Sequence, residues 1–132
     1  MNIPKFLPEE KEPTTRAGRA ASRKAVTRES QIETYLVQRV KELGGEVRKV
    51  AWVGRAGAPD RIVMLPGGRI FAVDQLSHGR TIWIELKAPG LAATFPNNAH
   101  ERQQHREHER MRGMGQRVEV VDSYERIEEI LR

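Results

Sequence analysis

The sequence contains no cysteine among its 132 residues. Such a chain cannot form a disulfide bond, a thiolate zinc site or a cysteine nucleophile, so oxygen or imidazole ligands must hold any metal ion. The absence is also typical of proteins from a reducing compartment, and we expect a cytoplasmic location.

Aromatic residues and long apolar runs are scarce as well. Phenylalanine, tryptophan and tyrosine together make up 5% of the chain, which argues against a protein that binds single-stranded nucleic acid mainly by stacking. No segment approaches the roughly 20 apolar residues that span a bilayer, and the first residues lack the apolar core of a secretory signal. We therefore expect neither export nor a membrane partner.

Positive charge is in excess, with a formal net charge of +5. A basic chain favours a polyanionic partner, because contacts to phosphates release condensed counterions. Many soluble proteins are basic for unrelated reasons, so the charge alone does not decide for nucleic acid and the motifs must do so.

The chain divides into a short extension and one domain. Residues 1–28 contain three prolines and several arginines without any apolar period, and we predict a flexible basic arm there. It is either a solvated tail or an arm that follows a phosphate backbone or a partner subunit. Residues 29–132 are long enough for one compact domain with a single core.

The pattern within that domain predicts helices and strands in mixed order. Ser30 followed by Glu33 has the form of a capping box that begins a helix, and Gly44 and Gly45 end it. The other expected elements are strands at 47–53, 61–65, 70–73, 81–86 and 118–121, a loop at 74–80, and helices at 100–114 and after Ser123. We expect an α/β domain with a mixed central sheet of about four or five strands flanked by helices.

Two short motifs carry the chemistry. Asp60 follows a proline at the start of a predicted strand, a pair that is common in ordinary turns. Glu85 lies 25 residues later, and it shares one face of a predicted strand with Lys87, about 6.6 Å away. An exposed ion pair would explain the second motif, but its apolar neighbours suggest a strand packed on both sides, where two charges are costly.

If Asp60 and Glu85 lie on neighbouring strands, the two motifs can form one metal-binding site. Their carboxylates are then hard oxygen ligands for Mg²⁺, which prefers a phosphate as a further ligand. Lys87 could orient an attacking water and stabilise developing charge. This arrangement indicates phosphodiester hydrolysis.

Pro59-Asp60 followed by Glu85-Leu86-Lys87 resembles the PD-(D/E)xK nuclease superfamily. The wider context resembles a stand-alone VRR-NUC domain over residues 29–131. The matching features are Glu29 and Ile32 on the opening helix, the double glycine at 44–45, Gly-Ala-Pro-Asp-Arg at 57–61, Glu-Leu-Lys-Ala-Pro-Gly at 85–90, and a glutamine-led helix that ends at Gly115.

The resemblance implies a restriction-endonuclease-like core of order αβββαβ and assigns site residues. Asp60 and Glu85 would bind the metal, together with the backbone carbonyl of Leu86, and Lys87 would be the catalytic lysine. Two residues would assist on the helices: Glu29, with Glu33 as its rival, and Gln104, with Gln103 as the less favoured neighbour.

The implied function is a Mg²⁺- or Mn²⁺-dependent endonuclease that hydrolyses DNA phosphodiester bonds. The resemblance further implies branched or structured DNA as substrate, a homodimer, and a bacterial or phage-infected host cell. A non-catalytic nucleic-acid-binding module on the same fold is the alternative. The connection between Gly68 and Thr81 is longer than is usual in the family, so an added β-excursion is expected, and the strand beside that of Asp60 stays open.

Other residues are assigned from their surroundings. Lys49, Arg55 and Arg61 flank the turn at Gly57 and are candidates for phosphate contacts, though arginines at strand ends are often merely solvated. The charged neighbours of the histidines at 100, 105 and 108 predict a solvated helix rather than a metal site. The tryptophans at 52 and 83 are expected in the core rather than as platforms for bases.

Overall fold

The computed structural model describes residues 28–70, 75–76 and 78–132. The basic arm predicted at 1–28 therefore lies outside the described residues, apart from Arg28. None of the described helices has the length and apolar character needed to cross a membrane.

The first helix, α1, spans Glu29–Glu42 and presents Ile32, Leu36 and Val40 to the core at the expected helical spacing. The helix begins near Ser30, as predicted, but the predicted cap is wrong, because Ser30 lies inside the first turn and does not cap it. The cap comes instead from Gln31, whose side-chain oxygen accepts a hydrogen bond from the backbone N–H of Arg28 at 2.6 Å. The helix ends before Gly44, as predicted.

A mixed four-stranded sheet forms the centre of the domain, which confirms the predicted fold class. Its strands are β1 (Glu46–Lys49), β2 (Arg61–Leu65), β5 (Arg80–Leu86) and β6 (Val118–Val121). Their order is β1-β2-β5-β6, with antiparallel pairs except for the parallel pair β5-β6. The first strand is shorter than predicted, because residues 50–53 leave it.

The connection between β2 and β5 contains a separate two-stranded ladder. Its strands are β3 (Arg69–Ile70) and β4 (Gln75–Leu76), which pair antiparallel. The interpretation of 74–80 as a loop was therefore wrong at Gln75–Leu76, whereas the expected β-excursion is present. Most of the strand predicted at 70–73 lies outside the described residues.

Two further helices and a short 3₁₀ turn, Ala92–Thr94, complete the described fold. Helix α2 spans Ala99–Gly113 and α3 spans Tyr124–Leu131. Side-chain oxygens cap both helices: Asn98 accepts the N–H of Glu101 at 2.9 Å, and Ser123 accepts that of Arg126 at 3.1 Å.

The two faces of the sheet differ in chemistry because side chains alternate along β5. Ile82, Ile84 and Leu86 are buried in the main core, to which α1 and α3 contribute. Trp83 and Glu85 occupy the opposite face, which α2 covers with its own buried residues Gln104, Glu107, His108 and Met111. The candidate functional residues therefore lie between the sheet and α2.

A buried ion pair joins α1 to α3 behind this core. Glu128 accepts hydrogen bonds from the Arg39 guanidinium and the Tyr35 hydroxyl, both at 2.6 Å. Burial favours the neutral acid, but the hydrogen bonds from Arg39 and Tyr35 outweigh it and lower the pKa of Glu128.

We expect Glu128→Ala to destabilise the fold by about 2 to 3 kcal/mol at pH 7, because it removes the buried carboxylate to which Arg39 and Tyr35 both donate. Urea unfolding measures this. The loss should shrink as the pH falls below the ordinary carboxyl value of 4.5, where the wild type also loses the charge. Glu129→Ala, which removes an exposed ion pair to Arg126, is the matched control and should cost under about 0.5 kcal/mol. An equal loss of unfolding free energy in the two variants would contradict the stabilising role of the buried Glu128 carboxylate.

Candidate active site

Asp60 and Glu85 meet across the pair β2-β5. Arg61 pairs with Ile84 in this antiparallel ladder, and one further step places Asp60 opposite Glu85. Residues directly opposite in such a ladder share a face of the sheet. The neighbour of the Asp60 strand, which the sequence left open, is thus the strand that carries Glu85.

Glu85 is a largely buried carboxylate with a 12% exposed side chain. Its Oε1 accepts a hydrogen bond from Nε2 of Gln104 at 2.7 Å. Burial raises the pKa of Glu85 to about 7; the charge of Lys87 and this hydrogen bond oppose the rise, while the negative charges of Asp60 and Glu29 add to it. A cation that binds next to this carboxyl would stabilise its charged form.

Lys87 lies directly after β5, where its backbone N–H donates to the carbonyl of Val121 at 2.9 Å. Its Nζ donates to Oε1 of Gln104 at 2.8 Å and lies 3.1 Å from Oε2 of Glu101 and 3.9 Å from Oε1 of Glu85. The same amine lies 5.2 Å from the centre of the Phe95 ring. These contacts hold one positive charge beside the Glu85 carboxylate.

Gln104 connects the acid and the amine. It is buried on α2, where its amide N–H group donates to Glu85 and its carbonyl accepts from Lys87. The two partners make opposite demands, so together they fix which way the amide faces. Gln103, the less favoured neighbour in the sequence, is exposed instead.

The two acidic residues that competed on α1 have different surroundings. The negative charge of Glu29 acts on Glu85. Glu33 pairs with Arg61, 3.0 Å from Nη2, and lies 3.9 Å from Nζ of Lys49. Glu29 therefore acts on the Glu85 carboxyl, whereas the contacts of Glu33 are with Arg61 and Lys49.

Contacts fix the position of Asp60 and of the residue before it, although the Asp60 side chain is 62% exposed. Nη1 of Arg61 lies 2.9 Å from its Oδ2. The carbonyl of Pro59 accepts the indole N–H of Trp52 at 2.8 Å. Gly57 has φ +84°, and a Cβ there would lie 3.0 Å from the backbone oxygen of Gln103, so the loop needs glycine to pack against α2.

The three cations expected near phosphate differ in exposure. Lys49 is 72% exposed, and Arg55 is an exposed residue whose Nε donates to Glu107 at 2.8 Å. Arg61 is buried between Glu33 and Asp60. Its guanidinium positions the Asp60 carboxylate, whereas the other two face solvent.

His108 contradicts the expectation of a solvated helix. It is fully buried, its ring stacks on Phe95 with centroids 5.7 Å apart, and its Nε2 lies 4.0 Å from Oε2 of Glu85. Neither ring nitrogen has a hydrogen-bond partner among the described residues. Burial lowers the pKa of His108 to about 4, so the ring is neutral at pH 7.

The sequence did hold a signal for this histidine. Gln104, His108 and Met111 follow one another at intervals of four and three, which is the spacing of one helix face. That stripe was missed because two of its members are polar. Phe95, which precedes α2 and contacts both His108 and Lys87, was missed because nothing near it in sequence points to the site.

The donor set suits a hard divalent cation. Two carboxylates share one face, and their mutual repulsion contributes to the raised pKa of Glu85. Within the described residues, no three side chains of histidine, cysteine, aspartate or glutamate form a metal-binding group. A cation here would therefore need backbone oxygen, water or phosphate as further ligands, as is common for Mg²⁺.

The comparisons with known proteins agree with this fold. No family model matches the chain. Over 96 residues the chain is 40% identical to the protein named "Putative nuclease p44" of Acyrthosiphon pisum secondary endosymbiont phage 1, covering 73% of this chain and 84% of that protein. A solved structure described as a VRR_NUC domain superposes with a TM-score of 0.58 at 33% identity, covering 80% of this chain and 95% of the other. The chain therefore belongs to the VRR-NUC family of nucleases and has its restriction-endonuclease-like fold.

Proposed function

We propose that this nuclease is a Mg²⁺- or Mn²⁺-dependent endonuclease that hydrolyses DNA phosphodiester bonds. One observation carries the proposal: the register that pairs Arg61 with Ile84 brings Asp60, the residue before β2, next to Glu85, whose carboxyl feels its charge. A buried amide links Glu85 to the amine of Lys87. Two acids and one amine at a single point are the groups that metal-assisted phosphate hydrolysis needs.

Asp60, Glu85 and the backbone carbonyl of Leu86 are the proposed ligands. The bound ion would polarise the phosphoryl oxygens and acidify a water molecule. Arg61 holds the Asp60 carboxylate in place, and Gln104 holds that of Glu85. The negative charge of Glu29 makes the site still more favourable for a cation.

Lys87 is the proposed catalytic lysine. Gln104 and Glu101 restrict its amine to one position next to Glu85. From there the ammonium can orient the attacking water and stabilise the charge that develops on the phosphate, and a fixed charge in a partly dry site does this without reorganisation.

Lys49 and Arg55 are the exposed cations that we assign to the DNA backbone. Following the family resemblance, we further propose that the DNA is branched or otherwise structured and that the nuclease acts as a homodimer in the cytoplasm of a bacterial or phage-infected cell. A dimer would supply two sites for two strands.

The test is a cleavage assay on linear, flapped and four-way-junction DNA with Mn²⁺, with Mg²⁺ and with EDTA. We expect nicking with either ion and none with EDTA. The relative cleavage rates on the three DNA structures show which of them the nuclease prefers. A wild-type protein that binds DNA but cuts none of them would instead be a non-catalytic binding module.

Metal binding can be measured separately from cleavage. An ion that binds only the native state stabilises it by about 2.7 kcal/mol at 100 times its Kd. Mn²⁺ should therefore raise the thermal midpoint of the wild type, whereas Asp60→Asn should show little or no rise. An equal rise in both would remove Asp60 from the ligand set.

A further inference from the structure

The face of the sheet that carries Glu85 continues into an open cleft beside the C-terminal half of α2. The cleft has a volume of about 390 Å³ and is lined by Trp52, Trp83, Arg55, Arg110, Met114 and Gln116, among others. This volume lies within the range of ligand sites in proteins. The lining combines aromatic surface with positive charge, which is the chemistry that recognises nucleotides.

The two indoles form a fixed aromatic surface and not part of the core, contrary to the sequence-based expectation. Their ring centroids lie 5.2 Å apart with planes inclined by 48°. Each ring is anchored through its N–H group, Trp52 to the carbonyl of Pro59 and Trp83 to the side chain of Gln116 at 3.1 Å. Trp52 is 36% exposed, so part of this aromatic surface stays accessible.

Both tryptophans lie close to the proposed metal ligands Glu85 and Asp60. Trp83 precedes Glu85 by two residues on the same face of β5, about 6.6 Å away. The indole N–H of Trp52 donates a hydrogen bond to the carbonyl of Pro59, the residue before Asp60. A group seated on the indoles would therefore lie about one nucleotide from a phosphate at the candidate active site.

Positive charge continues beyond the cleft. An adjoining polar groove shares Arg55 and Arg110 with it and adds Arg106. Glu107 is the acidic residue among the lining residues of both, and it pairs with Arg55 and lies 3.9 Å from Arg110. Three guanidinium groups against one carboxylate leave a net positive rim, which suits the phosphates next to a bound base.

We propose that this cleft binds an unpaired nucleobase of the DNA substrate, a proposal that rests on the proposed function. The base stacks on the indole surface, and its neighbouring phosphates contact the arginines at the rim. A base within a duplex is covered on both faces by its neighbours, so only an unpaired or extruded base can offer a face to an indole. The substrate class is therefore DNA with an unpaired nucleotide next to the cut bond.

The chain contains two tryptophans, and both line the cleft. Intrinsic tryptophan emission therefore reports on this one place. The experiment titrates the full-length protein with a single-stranded tetranucleotide in EDTA, and in parallel with an abasic tetranucleotide of the same charge. We expect the first to quench the emission and to bind about tenfold more tightly than the second, as one stacked base accounts for.

A pair of variants separates stacking from the hydrogen bond of Trp52. Trp52→Phe keeps an aromatic face and loses the N–H donor, whereas Trp52→Leu loses both. Measured by anisotropy of a labelled tetranucleotide, Trp52→Phe should keep most of the preference for bases, and Trp52→Leu should lose about tenfold in affinity. The same loss in both variants would overturn the proposal, because the indole would then act only by holding Pro59.

Two other outcomes would also overturn it. Equal binding of the normal and the abasic tetranucleotide would mean that the rim reads phosphates alone. Protein emission that shifts with protein concentration, in parallel with dimer formation by sedimentation and without quenching by the tetranucleotide, would mean that a second copy covers the cleft. Because all of these measurements are made without metal, they are independent of whether the protein cleaves DNA.

Discussion

Glu85→Gln is expected to abolish cleavage and, at pH 8 without metal, to give a protein more stable than the wild type. Glutamine keeps the shape of the side chain but has no charge to bind a cation, and we expect cleavage to fall by about 10³-fold or more. The gain in stability follows from the pKa of Glu85, which burial raises from 4.5 to about 7.

The direction of the pH dependence is fixed by that shift. An acid whose pKa is higher in the folded state adds stability below its unfolded value, and this stability is lost as the pH rises through the folded value. A rise from 4.5 to about 7 corresponds to roughly 3 kcal/mol. The wild type should therefore lose stability between about pH 5 and pH 8, while Glu85→Gln should lose less.

Urea unfolding in EDTA at pH 5 and pH 8 measures the difference, and gel assays with Mn²⁺ measure cleavage. Glu101→Gln is the matched control, since Glu101 also contacts Lys87 but has a lowered pKa, mainly through a hydrogen bond from the backbone of Asn97. It should destabilise the protein at pH 8. A variant at Glu85 that is less stable than the wild type at pH 8, or that still cleaves, would contradict the assigned role.

Lys87→Ala should reduce cleavage by about 10³-fold and leave DNA affinity within about threefold. The ammonium is held inside the site by Gln104 and Glu101 and its side chain is only 12% exposed, so it adds little to the long-range attraction of DNA. The substitution leaves Gln104 without one partner, and we expect a loss of about 1 to 2 kcal/mol in unfolding free energy.

Lys49→Ala provides the contrast because Lys49 is exposed. It should weaken DNA binding and lower the salt slope by about 1, with the maximal cleavage rate unchanged. Anisotropy in EDTA over a range of salt concentrations gives affinity, and single-turnover assays give the rate. If Lys87→Ala weakened binding as much as it slowed cleavage, Lys87 would be a phosphate contact and not the catalytic lysine.

Some of the fold was predictable at the level of single residues. The strands at Arg61–Leu65 and Val118–Val121 have their predicted ends, because each is a short β-forming run next to turn-forming residues. The cap of α1 was assigned to the wrong residue, because Gln31 provides it from inside the helix. A capping pattern in sequence cannot distinguish between neighbouring polar residues that can all play this part.

The residues of the candidate site that lie on one strand could be predicted from the sequence. Those whose positions depend on how helices and loops pack on the sheet could not. Alternation along β5 is enough to put Glu85 and the apolar residues on opposite faces. The burial of His108 and the position of the Trp52 indole depend on how α2 and the loop before Asp60 pack on the sheet. Such packing is a tertiary property, and a charged helix sequence such as that of α2 gives little sign of it.

The ladder formed by β3 and β4 lies at the far end of the strand pair that carries the acids. The chain leaves β2 after Leu65 and returns at Arg80, whereas Asp60 and Glu85 meet at the other end, about 17 Å away along five residues. Descendants of this nuclease could therefore lengthen, shorten or replace the segment without disturbing the chemistry. Changes in the length or sequence of this connection can therefore add new binding surfaces while the catalytic core stays the same.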